Sequence, residues 1–314
     1  MTADLHQLLL HRARDQGQAP ALDFLDRSTD YARLVRRVER AAARLRHAWG
    51  VRPGDRVAYL GLNHADQITL LFALARLGAM LVPLNFRLAP AEWQQVLDDC
   101  APTVLLHDGT WAEAARDLAA GRGSAVHAID ALCATHASGE APAEASADAA
   151  VLLVYTSGTT GRPRAAVHTQ AQLLANMRAA AAVQRMTPDD RVLTVLPLFH
   201  VGGLCIQTLP ALWAGARVEL LPRFDAGATL RAIERHRPSL TLLVPATMKA
   251  LVEHPDWART HLGALRAVWA GSSLLPEALV RAFLDRGVPV CNVYGSTETR
   301  PFSIALPPER AASH

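Results

Sequence analysis

The chain has almost no lysine and no concentrated excess of charge. Of its 32 lysine and arginine residues only Lys249 is a lysine, and a guanidinium group is too strongly basic to act as a proton acceptor or an imine-forming amine. Lys249 lies on a helical pattern and is expected to be an ordinary surface residue. The formal net charge is +3 over 314 residues, whereas nucleic-acid readers normally carry a concentrated basic face. No nucleic-acid partner is therefore expected.

Cysteines are few, and long apolar runs are missing. The most hydrophobic stretch, residues 68–84, is interrupted by Arg76, and a membrane span needs about 20 predominantly apolar residues. The N-terminus carries Asp4 and does not resemble a secretion signal. The four cysteines contain no Cys-x-x-Cys pair, so neither a zinc site nor a disulfide framework is expected, and the expected location is cytoplasmic. They are Cys100, Cys133, Cys205 and Cys291.

The residues that are abundant indicate a soluble protein with a substantial core. Apolar residues make up 50% of the chain and charged residues 19%. A chain of this length is expected to form about two compact units, because single cores stop growing near 250 to 300 residues. The arginine-rich stretch 33–46 has an apolar stripe that includes Leu34 and Val38. It is predicted to be an amphipathic helix with a solvated basic face.

Short β-branched runs alternate with longer helical patterns, which predicts an α/β fold with parallel sheets. Ten candidate strands are more than one sheet usually carries, so two sheets are expected. The candidate strands are 57–60, 80–83, 103–107, 125–129, 151–155, 192–197, 217–221, 240–244, 267–270 and 289–294. The candidate helices are 65–77, 90–100, 169–183, 226–236, 246–253 and 276–286.

The strongest local signal is a loop rich in glycine and hydroxyl residues between a buried strand and a helix that starts near Thr169. Glycines let the backbone approach phosphate oxygens, hydroxyls and amides donate hydrogen bonds, and arginines supply positive charge. The loop is not a Walker A motif, because only two residues separate its two glycines and no lysine follows. An exposed turn is the alternative, but a position at the carboxyl end of a parallel strand favours ligand binding. The candidate phosphate-binding residues are Thr156, Ser157, Gly158, Thr159, Thr160, Gly161 and Arg164.

The run YTSGTTGRPR resembles the phosphate-loop signature of the adenylate-forming (AMP-binding) superfamily, acyl-CoA synthetase type. Relatives usually have lysine where this chain has Arg164 and glycine where it has Ala165. Three further segments follow in the order of that family. They are LPLFHVGGL at 196–204, VWAGSSLLPEAL at 268–279 and NVYGSTE at 292–298.

The resemblance implies roles for residues in each segment. It implies that His200 lies between the acyl pocket and the reacting carboxylate, that Tyr294 stacks on adenine, that Thr297 contacts the α-phosphate, and that Glu298 helps to hold Mg²⁺. His200, Thr297 and Glu298 are the implied catalytic residues. The implied nucleotide-binding residues after the loop are Gly271, Ser272, Ser273, Asn292, Tyr294, Gly295 and Ser296. Taken alone, 271–273 would be a strand-to-helix turn in which Ser273 or a neighbour caps the next helix.

The resemblance also implies a reaction. A carboxylate attacks the α-phosphate of MgATP to give an acyl-adenylate, and a thiol, usually of coenzyme A, then displaces AMP. The expected partners are a small carboxylic acid, ATP and CoA. Alternatives are an aryl or o-succinylbenzoate-type CoA ligase, a peptide-synthetase adenylation domain, and an inactive nucleotide-binding module. The phosphate loop and the 294–298 segment are expected to grip polyphosphate together.

The expected architecture is the family's N-terminal domain, with two parallel-sheet subdomains packed as alternating helix and sheet layers. One subdomain is expected at 50–185 with the phosphate loop, and the other at 1–49 plus 186–314 with the adenine and acyl pockets. The chain is expected to lack the barrel subdomain and the mobile C-terminal domain, so that it binds nucleotide weakly and adenylates poorly alone. Apolar surface left uncovered would favour self-association, and a homodimer is one expected form.

Overall fold

The computed structural model describes residues 4–134, 145–156, 163–271 and 273–311. The chain divides into two compact units, each with its own sheet. The first unit contains Met1–Ala19 and Thr29–Leu174, and the second contains Pro20–Ser28 and Ala175–His314. The expected α/β class and the expectation of two sheets are confirmed.

The elements are named in chain order. The strands are β1 (Pro20–Phe24), β2 (Arg27–Asp30), β3 (Arg56–Leu60), β4 (Met80–Leu84), β5 (Val104–His107), β6 (Ala125–Ala128), β7 (Ala150–Thr156), β8 (Arg164–Thr169), β9 (Arg191–Thr194), β10 (Arg217–Leu220), β11 (Leu240–Leu243), β12 (Ala267–Gly271), β13 (Val290–Ser296) and β14 (Arg300–Ala305). The helices are α1 (Leu5–Gln16), α2 (Tyr31–Ala43), α3 (Ala65–Leu77), α4 (Pro90–Cys100), α5 (Ala112–Ala119), α6 (Gln170–Val183), α7 (Val201–Gly203), α8 (Leu209–Ala214), α9 (Ala226–His236), α10 (Pro245–Val252) and α11 (Glu277–Leu284). A π-helical turn, Leu204–Thr208, connects α7 to α8.

Helix ends follow local capping chemistry, which explains why several predicted bounds are confirmed. Helix α3 begins after His64, whose Nδ1 accepts a hydrogen bond from the Asp66 backbone N at 3.1 Å. It ends at Gly78, whose φ of +69° lies in the left-handed region that glycine adopts without a steric penalty. Helix α4 begins with Pro90, which is suited to a first turn because it has no N–H to leave unpaired.

The sheet of the first unit has the order β6-β5-β3-β4-β7-β8. Strands β3 to β7 are parallel to their neighbours, and β8 returns antiparallel to β7. Strand β8 was not predicted, because Arg164–Thr169 has an exposed and weakly apolar pattern. The core of this unit is formed by apolar side chains from the sheet and from α4 and α5, among them Leu60, Val82, Trp93 and Leu118.

The sheet of the second unit has the order β14-β13-β12-β11-β9-β10-β1-β2. The run from β13 to β1 is parallel throughout, and β14 returns antiparallel to β13. Strand β12 is buried along its whole length, and Trp269 within it is fully buried. The carboxyl ends of β9, β12 and β13 therefore lie at the same edge of one sheet.

The unit boundaries differ from those expected from the sequence. Residues 1–49 were expected to join the second unit, but only Pro20–Ser28 does so, because β1 pairs with β10. Helices α1 and α2 pack with α3 in the first unit, where Leu5 and Leu34 are fully buried. The remaining boundary lies within α6 and not at residue 185. Among the described residues, no helix is both long and apolar enough to span a bilayer.

Gln170, at the start of α6, connects three parts of the first unit. Its Oε1 accepts a hydrogen bond from the Leu5 backbone N at 3.1 Å, and its Nε2 donates to the carbonyl oxygens of Ala75 at 3.0 Å and Ser146 at 3.2 Å. The side chain is 1% exposed. A buried polar group that loses its partner is costly, so this side chain should matter for stability.

We expect Gln170→Leu to lower the free energy of unfolding by about 2–3 kcal/mol, because the Leu5 N–H and the Ala75 carbonyl would lose a buried partner. Urea denaturation measures the change. Gln172→Leu is the matched control on the same helical turn, since exposed Gln172 only accepts from the Thr169 backbone N at 2.9 Å. Its cost should stay below about 1 kcal/mol. Equal losses in the two variants would contradict this role for Gln170.

Candidate functional site

The predicted phosphate loop lies at the end of a β-hairpin. Strands β7 and β8 pair up to the Cα partners Tyr155 with Ala165 and Thr156 with Arg164. Thr156 is half-buried and Arg164 is exposed. The predicted loop residues Ser157, Gly158, Thr159, Thr160 and Gly161 lie outside the described residues. The hairpin therefore places the two described ends of the loop directly opposite each other.

The loop end of this hairpin is bound to α4 through Tyr155. The Tyr155 hydroxyl donates a hydrogen bond to the Asp99 carboxylate. Burial, followed by this hydrogen bond, raises the pKa of Tyr155 above its ordinary value, so the phenol remains protonated and keeps donating. The sequence motif begins at Tyr155. Its partner on α4 could not be predicted, because Asp99 lies far away along the chain and belongs to no motif.

His200 caps the short helix α7 with its ring. Its Nδ1 accepts a hydrogen bond from the Gly202 backbone N at 2.9 Å, and its own backbone N donates to the Pro197 carbonyl oxygen at 3.2 Å. Since Nδ1 accepts, the neutral tautomer carries its proton on Nε2. Although part of the residue is exposed, atoms packed around the imidazole lower its pKa by desolvation. The ring is therefore a neutral donor at Nε2.

Gly203 permits the tight turn after His200. A Cβ built on Gly203 would lie 2.2 Å from the Pro197 carbonyl oxygen, a distance that no side chain tolerates. Further on, the Thr208 hydroxyl donates to the Gly203 carbonyl oxygen at 2.6 Å and lies 2.8 Å from the Thr194 hydroxyl. Thr194 and Thr208 are both buried. The contacts of these two hydroxyls could not be predicted from the sequence, because a single threonine among apolar residues belongs to no recognisable motif.

The last residue of β12, Gly271, lies very close to β13. A Cβ on Gly271 would lie 2.2 Å from the Val293 carbonyl oxygen, so only glycine fits there. Ser273 is exposed, and Ser272 lies outside the described residues. The interpretation that Ser273 or a neighbour caps the next helix is wrong. The N-cap residue of α11 is Pro276, which makes no side-chain capping hydrogen bond.

Strand β13 and the turn after it carry the remaining candidate residues. Asn292, Tyr294 and Gly295 are exposed, and the Tyr294 side chain is 65% exposed. Tyr294 pairs across the strands with Ile304 of β14, and the register shifts between Tyr294 and Ser296. Because side chains alternate along a strand, Asn292 and Tyr294 lie on the same face, opposite to buried Val293.

The turn that connects β13 to β14 is closed by hydroxyl groups. The Ser296 Oγ accepts a hydrogen bond from the Thr299 backbone N at 3.2 Å and lies 2.8 Å from the Thr299 hydroxyl. Thr297 is 6% exposed, whereas Glu298 is exposed. The turn therefore combines a buried hydroxyl with an exposed carboxylate, and an exposed carboxylate is chemically suited to Mg²⁺.

The second unit gathers most of the candidate residues at one edge of its sheet. His200 follows β9, Gly271 ends β12, and the 292–298 segment covers the end of β13. All three strands run in parallel, so their carboxyl ends share one edge, which is where open α/β sheets bind ligands. Whether the phosphate loop of the first unit joins them in one site stays a prediction.

Another group of potential metal ligands in the described part of the chain is explained by helix capping. It consists of His64, Asp66 and Asp130. His64 Nδ1 accepts from the Asp66 backbone N, and the Asp66 carboxylate forms an ion pair with Arg37. A metal ion bound to His64 Nδ1 would displace the cap. A metal ion bound to His64 Nε2 would leave neither ring nitrogen protonated, because Nδ1 already acts as an acceptor, and a neutral imidazole keeps one proton. We therefore assign this group a structural role.

Lys249 is a surface residue, as expected from its helical pattern. Its ammonium group lies 3.7 Å from the Glu253 carboxylate one helical turn away, and both side chains are largely exposed. Pairs of this kind contribute little to stability. The one lysine of the chain therefore has an ordinary surface environment.

We expect His200→Ala to lower the free energy of unfolding by about 1 kcal/mol near pH 8, since the α7 cap is lost, whereas His200→Asn keeps a capping side chain and should cost a few tenths of that. Folding lowers the pKa of His200 below its ordinary value of 6.5. The stabilisation from the cap is therefore complete above pH 6.5 and is lost as the pH falls from 6.5 through the lower pKa of the folded state. Chemical denaturation at about pH 8 and about pH 5 should show the alanine penalty shrinking. A penalty independent of pH would contradict capping by the neutral ring.

The chain is similar to known proteins over nearly its whole length. Residues 9–314 match the family model described as AMP-binding enzyme. The chain is 43% identical to indoleacetate–CoA ligase from Aromatoleum aromaticum over 315 residues, which covers 96% of this chain and 61% of that protein. It is 40% identical to feruloyl-CoA synthase from an Amycolatopsis species over 297 residues, which covers 95% of this chain and 60% of that protein.

The fold is similar to a solved N-terminal domain. The inhibitor-bound crystal structure of the N-terminal domain of FACL13 from Mycobacterium tuberculosis superposes with a TM-score of 0.90 at 26% identity, covering 99% of this chain and 80% of that one. The chain spans about three fifths of the length of the two curated relatives, which it covers to 61% and 60%. Since the family model matches nearly the whole chain, the chain belongs to the family of AMP-binding enzymes.

Proposed function

We propose that this chain binds ATP and a carboxylic acid for an acid–CoA ligase, in which the acid is first adenylated and the acyl group is then transferred to coenzyme A. The observation that carries the proposal is the shared strand edge of the second unit, where Gly271, Tyr294 and Glu298 lie at the carboxyl ends of adjacent parallel strands. Open α/β sheets bind ligands at such edges.

The nucleotide base is assigned to the face of β13. Tyr294 offers an exposed aromatic ring to stack on adenine, and exposed Asn292 on the same face offers an amide to the base edge. The absence of a Cβ at Gly271 lets the β12 backbone approach β13 closely. Ser272, Ser273, Gly295 and Ser296 are proposed to complete the nucleotide-binding edge.

The phosphates are assigned to the turn after β13 and to the hairpin loop. Thr297 would donate its hydroxyl to the α-phosphate, and Glu298 would hold Mg²⁺, which neutralises phosphate charge when bound. The loop residues from Thr156 to Gly161, together with Arg164, would hold the β- and γ-phosphates with hydroxyls, amides and positive charge. The acid provides its own nucleophile, so the protein contributes mainly alignment and charge stabilisation.

His200 is proposed to orient the carboxylate of the acid. Its Nδ1 is used by the helix cap, so the available group is the Nε2–H, which can donate to a carboxylate oxygen. A neutral donor can hold the carboxylate without forming an ion pair that would weaken the nucleophile. This assignment makes His200 a hydrogen-bond donor and not a general base.

The substrate is proposed to be an aromatic carboxylic acid. Two relatives, indoleacetate–CoA ligase and feruloyl-CoA synthase, are named after aromatic acids. They share 43% and 40% identity with this chain. An o-succinylbenzoate-type substrate, which is also aromatic, would be another member of this class, and a straight-chain fatty acid would be an outcome outside it.

We expect Tyr294→Ala to weaken ATP binding by about twofold to tenfold, because stacking on an aromatic ring contributes about 0.5–1.5 kcal/mol. Isothermal titration calorimetry with MgATP measures this. Ile304→Ala is the control, since Ile304 is the exposed cross-strand neighbour of Tyr294 and is 68% exposed. Equal weakening in both variants would contradict stacking, and no ATP binding to the unaltered chain would refute the proposed function.

We expect indoleacetate and ferulate to raise the unfolding temperature of the ATP-loaded chain at about tenfold lower concentrations than a straight-chain fatty acid, because a ligand that binds only the folded state stabilises it. Glu298→Gln should reduce the Mg²⁺-dependent part of ATP binding, while Glu253→Gln should not, because exposed Glu253 lies just after α10 and pairs with Lys249. Release of pyrophosphate measures catalysis separately. Binding of both ligands without release would favour a nucleotide- and acid-binding module over a complete adenylating enzyme.

A further inference from the structure

Asn176, on α6, has a buried side chain that uses both ends of its amide. It is 2% exposed. Its Nδ2 donates a hydrogen bond to the Cys205 carbonyl oxygen at 2.8 Å, and its Oδ1 accepts one from the Phe302 backbone N at 3.1 Å. A carboxamide offers both a donor and an acceptor, and both are used here.

The two partners of Asn176 belong to different segments of the candidate site. Cys205 lies in the π-helical turn that follows the His200 cap and Gly203. Phe302 lies on β14, which pairs with the strand that carries Tyr294. One side chain of the second unit therefore connects the backbone behind the proposed carboxylate donor to the backbone behind the proposed nucleotide edge.

The bond to Phe302 acts where the strand ladder is irregular. Strand β14 is the outermost strand of its sheet, and its register with β13 shifts between Tyr294 and Ser296. The Phe302 N–H donates to Asn176 at this irregularity. The Phe302 side chain is buried, and its ring lies 5.8 Å from the ring of Trp269 in β12. The position of β14 thus depends on contacts with both Asn176 and β12.

We propose that Asn176 is a positioning residue that couples the His200 segment to the nucleotide-binding edge formed by β13 and β14. This inference rests on the proposed function. Loss of the amide should let β14 and the turn at 296–299 move away from their position, which would weaken ATP binding without removing any group that touches ATP.

A second buried amide provides a matched control. Gln184, just beyond α6, is fully buried, donates from Nε2 to the Ile206 carbonyl oxygen at 2.7 Å and accepts from Gln207 Nε2 at 2.9 Å. It therefore binds the same π-helical turn one residue further on. Among the hydrogen bonds found for its side chain, none reaches β14. Its loss should cost comparable stability without displacing the nucleotide edge.

The experiment compares Asn176→Leu with Gln184→Leu by amide hydrogen exchange and by calorimetry with MgATP. Both variants should unfold at lower urea concentrations. Only Asn176→Leu should speed exchange within residues 296–305 and weaken ATP binding, each by about tenfold, as expected for the loss of one buried hydrogen bond. The same exchange pattern and the same ATP affinity in both variants would overturn the proposal.

Asn176→Asp separates the two hydrogen bonds. It keeps an acceptor for the Phe302 N–H and loses the donor to Cys205, so protection of the Phe302 amide should exceed that in Asn176→Leu. This variant also serves if the leucine variant does not fold. Faster exchange than in the unaltered chain both in the turn 204–206 and within residues 296–305 would support the coupling, and an effect confined to the turn 204–206 would contradict it. If the unaltered chain does not bind ATP, the proposed function fails, and the exchange data still decide whether Asn176 positions β14.

Discussion

The close approach of two backbones at Gly271 is the constraint on which the candidate site depends. The Val293 carbonyl oxygen occupies the space that any Cβ at position 271 would need. Strands β12 and β13 stay in register as far as Gly271, the last residue of β12, which pairs with Val293. The exposed face with Asn292 and Tyr294, and the turn with Thr297, begin from that register. A side chain at position 271 would therefore disturb several candidate residues through the backbone.

The backbone is also closely packed around His200. Gly203 is required by the Pro197 carbonyl oxygen, and the imidazole completes the same turn by capping it. The ring thus has one nitrogen in a structural role and the other available to a ligand. Its neutral state follows from the cap, because a protonated Nδ1 could not accept the Gly202 N–H. Local folding therefore determines the chemical role that this histidine can take.

Much of the fold could be predicted from periodicity and caps. Helices α3, α4 and α9 have the predicted bounds because capping residues mark their ends. Strands β1, β2, β8 and β14 were missed. Strands β8 and β14 have six residues each, and neither contains the run of β-branched residues that marked the predicted strands. The placement of Pro20–Ser28 in the second unit could not be predicted, since it depends on the pairing of β1 with β10, which is distant along the chain.

The candidate residues on strand ends were predicted, whereas the residues that hold those ends were not. Asn176 and Gln184 are polar positions on or next to an apolar helix, and nothing local distinguishes them from solvated side chains. Their importance comes from partners far along the chain, such as Phe302. Sequence motifs therefore identify the groups that face a ligand more readily than the groups behind them.

The π-helical turn Leu204–Thr208 has a consequence for how this region tolerates changes in length. A π turn accommodates one more residue than an α turn, so loss of a single residue there would convert it to regular α-helix. Each residue of an α-helix accounts for about 100° of rotation. Because the π turn holds its extra residue within a single turn, such a deletion would keep α8 and the preceding backbone in nearly the same rotational phase, whereas a deletion within regular α-helix would rotate one side against the other by about 100°. The stretch between His200 and α8 should therefore tolerate loss of one residue within the π turn better than loss of one residue within α8.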